Sequence, residues 1–201
     1  MGVQTDVQVK FIADENAADP DRLVTAARPN TSATMAATTF LGGGARNVTV
    51  TTAGTGDNNK TCSITGTDVF GNAITEVITS TGSAEAVAGA KLFLTVSAVE
   101  CSAQYAANIT VGSGSLCASE VAGGGRTRLK GYSIVSAGTA GLVDFFNGTP
   151  DSGTIIFKAQ TIGTDNSTVD NTIPDEGMLF KAGLSVKYTV ATVVLMNVFF
   201  A

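Results

Sequence analysis

The chain has 201 residues, of which 44% are hydrophobic and only 14% charged, and its formal net charge is −5. That length buries roughly 70% of the surface of the unfolded chain, enough for a core without covalent staples. An acidic chain in which Lys and Arg are scattered lacks the electrostatic footprint that a phosphate backbone requires, which excludes direct nucleic-acid binding.

With so few charges, the solvated surface must be built from Thr, Ser and Asn. These residues suit the outer side of pleated strands and the turns between them, so the composition predicts an all-β protein. The opening residues show no basic stretch followed by an apolar run, so no secretory signal is expected. Val7, Val9 and Phe11 alternate with polar residues and predict a first strand. The chain then turns Ala-rich up to Gly42-Gly43-Gly44. Residues 1–46 read as an extended N-terminal arm, with one short helix between Asp19-Pro20 and Pro29 from the N-cap and N1 signals.

From Asn47 to Gly112 short β-rich runs follow one another: Val48 to Thr52, Cys62 to Thr67, Ala73 to Ser80, Phe93 to Val99 and Asn108 to Val111. Gly71 and Asn72 tolerate positive φ and are expected to close a hairpin between Ile64–Thr67 and Ile74–Val77. Residues 47–112 are therefore expected to form a first β-sandwich. The Gly- and Ser-rich stretch 113–126 reads as a linker. Residues 127–201 supply six further runs separated by Asn-Gly, Asp-Ser-Gly and Pro-Asp-Glu-Gly turns, a second sandwich of jelly-roll kind. The fold class expected is thus all-β, with two small β-sandwich or jelly-roll-like domains behind the arm.

The tract Val190 to Ala201 is too short for a membrane-spanning helix and reads as a buried strand; no membrane partner is expected. Its run Val193, Val194, Leu195, Met196, Val198, Phe199, Phe200 shows too little alternation for a strand with one wet face. Val193, Leu195, Val198, Phe199 and Phe200 are the candidate subunit-interface residues, the competing reading being a central strand of the domain's own core.

The chain has no histidine, which removes His-activated Ser and Cys nucleophiles, His acid-base work and His-containing zinc sites together. Asp68 with Glu76, or Asp144 with Asp175 and Glu176, are the candidate carboxylate acid-base pairs, although their turn and strand-end positions favour structural roles. The segment Asp165 to Asn171 carries alternating oxygen side chains without the Gly and Glu of a calcium loop. No catalytic, cofactor-binding or metal residue is assigned, and no cofactor. Arg126, Arg128 and Lys130 read as an ordinary solvated strand edge. Cys62, Cys101 and Cys117 read as three reduced thiols. A Cys62–Cys101 bridge is conceivable, but a reducing compartment argues against it.

Two stretches resemble structural proteins of tailed bacteriophages that decorate or connect the shell. One is Ile64-Thr65-Gly66-Thr67-Asp68-Val69-Phe70-Gly71-Asn72-Ala73-Ile74-Thr75-Glu76-Val77-Ile78, continued by Phe93 to Val99. The other is Gly141 to Gly148 with Gly153, continued by Ile173 to Leu184. The resemblance implies a non-enzymatic virion subunit, assembled in the host cytoplasm, and transfers no catalytic residue. Its expected partners are the major capsid protein or other virion subunits and copies of itself, a trimer above other orders. A cement or decoration protein is the first reading, and a tail, neck or fibre-anchoring component the second. A host-surface or carbohydrate-binding sandwich, the reading of another class, would need exposed aromatics or a metal site.

Overall fold

The computed structural model describes residues 7–13, 17–82 and 84–201. The strands in chain order are β1 (Gln8–Ile12), β2 (Val24–Ala27), β3 (Ala45–Thr52), β4 (Thr61–Thr67), β5 (Ala73–Thr79), β6 (Ala86–Phe93), β7 (Thr95–Cys101), β8 (Ile109–Ala122), β9 (Thr127–Ser136), β10 (Leu142–Asn147), β11 (Thr154–Gln160), β12 (Thr168–Thr172), β13 (Met178–Phe180), β14 (Leu184–Thr189) and β15 (Val193–Phe200). Single 3-10 turns at Thr55–Asp57 and Val190–Thr192 are the remaining helical structure among the described residues. The protein is all-β, and its pairings are antiparallel wherever a register is defined.

Two compact units divide the chain: β1 belongs with the stretch Ala118–Ala201, and the intervening residues up to Cys117 form the other unit. In the unit that holds both ends of the sequence, one sheet has the order β1-β15-β9-β12, with β13 also paired to β9. A second layer has β10 between β11 and β14. Tyr132 of β9 meets Phe145 of β10 and Phe157 of β11 with ring centroids 5.6 and 5.7 Å apart, in the tilted arrangement that aromatic pairs prefer. Leu129, Ile134, Val143, Phe180, Val186, Met196 and Val198 are buried with them.

The intervening unit packs β5-β4-β7 against the sheet containing β2, β8, β3 and β6. Its core joins Leu23, Val24, Phe40, Val48, Ile64, Phe93, Val96, Tyr105 and Ile109. The expected hairpin is there, with Thr67 opposite Ala73 and Ile64 opposite Glu76. Gly71 at φ +81° turns the chain, while the Asp68 carboxylate accepts the N–H groups of Phe70 and Asn72 at 2.8 and 2.9 Å.

Three expectations for the connecting segments are corrected. Residues 17–46 are not an arm reaching outside their domain, because Leu23, Val24, Ala33 and Phe40 lie in the core of the intervening unit. The expected short helix is replaced by turns leading into β2: Leu23 N–H donates to Val111 O at 2.9 Å, so the donors go to β8 rather than to carbonyls one helical turn back. The stretch 113–126 is not a linker, since β8 runs through it as far as Ala122. Its glycines serve close approach instead. A Cβ on Gly112 would lie 2.0 Å from Asp19 O, where Ser113 N–H meets that same carbonyl at 2.7 Å.

Candidate subunit-contact surface

β15 is an interior strand of its sheet, flanked by β1 and β9. It alternates after all, once a bulge at Val193/Leu195 is counted. Val193, Met196 and Val198 are buried at 1% exposure or less, within their own unit's core. Leu195 and Phe199 are half-buried on the opposite face, and Phe200 is half-buried at the strand end opposite Gln8 and Leu129. Of the five candidate interface residues, the structure therefore places Val193 and Val198 inside and Leu195 and Phe199 outside.

The outer face gains residues that the sequence did not single out as a surface. Val9 of β1 stands opposite Phe199, and Phe11 opposite Asn197. Both are large and open, at 55% and 58% exposure. Val135 of β9 stands opposite Leu195. Towards β12 the same face becomes polar through Ser133 and Asp170. The result is a largely apolar half-face formed by Val9, Phe11, Leu195, Phe199 and Val135 around the polar Asn197. The alternation Val7, Val9, Phe11 was visible in the sequence, but alternation cannot tell which side of a strand is wet.

The basic group is built into the fold. Arg128 forms an ion pair with Glu176 at 2.8 Å and donates to Glu176 O and Gly177 O at 3.3 and 3.4 Å. Lys130 donates to Asp175 O at 3.1 Å. These side chains hold the turn before β13, and with Arg126, Thr127 and Ala201 they line a pocket of 330 Å³.

The acidic candidates are engaged separately. Glu76 accepts the N–H of Ala90 at 2.7 Å, Asp68 closes its own hairpin, and Asp144 faces Lys158 at 3.3 Å. Asp165 to Asn171 does not gather its oxygens, because from Thr168 onward it is β12, whose successive side chains point to opposite faces. Among the described residues no group of three His, Cys, Asp or Glu side chains is placed to hold a metal ion, and no helix is long and apolar enough to cross a membrane. No family model, curated protein or solved structure matches this chain.

Proposed function

We propose that the protein is a non-enzymatic structural subunit of a tailed-phage-type virion that binds and stabilises neighbouring capsid subunits. The observation that carries this reading is the largely apolar half-face of Val9, Phe11, Leu195, Phe199 and Val135, set on a sheet whose other side is core. Apolar surface on a regular sheet face is suited to burial against another protein. Covering one Phe side chain contributes about 1.5 to 3 kcal/mol, so a few such residues repeated around a symmetry axis stabilise association appreciably. The hairpin patterns that resemble phage shell proteins set the kind of partner, and a trimer presenting the half-face is the assembly expected.

The test has two arms. Light scattering of the purified protein should show an oligomer, and a monomer at high concentration would remove the self-association part. Particles lacking the chain should release their DNA at lower temperature or milder osmotic shock than complete ones. Equal resistance would move the protein to the tail or neck.

A further inference from the structure

Cys62 and Cys101 stand directly opposite each other on β4 and β7. The flanking pair carries the ladder bond, with Ser102 N–H donating to Thr61 O at 3.0 Å. Cys101 N–H points the other way, to Thr31 O at 2.6 Å. The two cysteines therefore occupy a non-hydrogen-bonded position, where antiparallel Cα atoms approach to about 4.5 Å, inside the span of about 4.4 to 6.8 Å that a disulfide bridges. Their side chains share one face, and the Sγ atoms lie 3.8 Å apart. Side-chain rotation alone can close that gap. The hydroxyl of Tyr105 sits 3.2 Å from Cys62 Sγ. Cys117 is placed apart from this cluster, its sulfur directed at Ser115 O.

We propose that Cys62 and Cys101 are a disulfide-forming pair that ties β4 to β7 when the folded protein meets a low-molecular-weight disulfide such as oxidised glutathione. Cys101, at 9% exposure the more open of the two, attacks the oxidant first. One S–S bond breaks, a mixed disulfide forms and one small thiol leaves. Cys62 then attacks the Cys101 sulfur and expels the second small thiol. In total two S–H bonds are lost, one protein S–S bond is made, and the oxidant carries away two protons and two electrons. Access alone sets this order, since Cys62 is fully buried; acidity favours Cys62 as the attacking thiolate of the second, bridge-closing step. Hydrogen bonding from Cys101, and then from Tyr105, holds the Cys62 thiol below its ordinary value against the opposing effect of burial. The same contact with Cys62, together with burial, pushes Cys101 up.

The test is oxidation of the native full-length chain by oxidised glutathione, followed by acid quenching and mass analysis. The expected product has lost the mass of two hydrogen atoms, yields a peptide linking Cys62 to Cys101, and retains one of its three thiols. It should also melt higher than the reduced protein, by about 5 to 15 °C. Cys117→Ala should give the same loss of two hydrogens, the same linked peptide and the same rise in melting, with neither of its two thiols left, whereas Cys62→Ala or Cys101→Ala should abolish the linkage. If either of the last two fails to fold, the linked peptide and thiol count of the parent chain decide alone. Three thiols persisting after prolonged oxidation, or a linkage through Cys117, would overturn the proposal.

Discussion

Asp57 is fully buried, yet its carboxylate accepts from Lys60 Nζ at 2.7 Å and from the N–H groups of Ala106 and Ala107 at 2.6 and 3.1 Å. Burial pushes its pKa up. The hydrogen bonds from Lys60 and the two amides outweigh that effect and leave it below the ordinary 3.8. A carboxylate whose folded pKa is depressed stabilises the fold above its unfolded value, and the contribution is lost as the pH falls through the folded one. Asp57→Ala should therefore cost about 1 to 3 kcal/mol at neutral pH, because it leaves the Lys60 ammonium and two part-buried amides without their acceptor. The gap between variant and parent should narrow as the pH falls below about 3.8, as the part that depends on ionisation is lost. Urea unfolding across pH 2 to 7 measures it, and a gap that does not change with pH would refute the electrostatic account. Gly66 is a residue of another kind. At the bulge between β4 and β7 a Cβ would stand 1.9 Å from Thr95 O, so Gly66→Ala must push the strands apart and should lower stability by about 1 to 3 kcal/mol. Unchanged melting would show that the bulge repacks freely.

At the level of elements, β15 separates fold from function. Val198→Ala removes core volume and should cost about 1 to 3 kcal/mol. Phe11→Ser acts on an open face and should change stability by no more than about 0.5 kcal/mol, while weakening self-association or particle binding. Thermal melts and a binding assay on the same two variants check this. Loss of assembly by Val198→Ala without loss of stability would reverse the assignment of faces. Strands with clear β-branched runs and strong turn residues, such as β4, β5, β10 and β15, were legible in the sequence because local propensity and turn chemistry agreed there. β2 was not: Leu23 and Val24 follow genuine helix-start residues, and only the pairing with β8 overrides them. β12 is short and polar, with its apolar content limited to Val169, so no period marks it. The start of β8 was read as a strand, but its continuation from residue 113 was read as a linker because its glycines and serines look like flexibility, whereas Gly112 and Gly114 sit where other groups pack closely against the strand. The surface was half legible. The apolar residues of β15 were plain, but their division between core and exterior depends on the bulge and on β1, which joins from the far end of the chain.

For the whole molecule, the consequence of that topology is that one unit is closed by both ends of the sequence while the other is laid out between them. β1 covers one edge of β15 across five residue pairs, from Gln8–Phe200 to Ile12–Met196, and Ile12 is buried at 4% exposure. Deleting Met1 to Ile12 should remove that pairing and the burial of Ile12, worth about 1.5 to 3 kcal/mol for the side chain alone. It should also leave the edge of an apolar strand open to pairing with other chains. The intervening unit keeps all of its own strands, so its ladder should survive. Extending the deletion to Gly44 is a different experiment, because it also takes Leu23, Val24, Ala33 and Phe40 out of the intervening unit's core. Hydrogen exchange followed strand by strand distinguishes the two truncations. The shorter one should lower amide protection in β15 and β9 and leave β4 and β7 unchanged, whereas the longer should lower all four. If the longer truncation kept full protection in β4 and β7, residues 17–44 would be dispensable to the core they line, and their reading as an arm ordered by outside contacts would be restored.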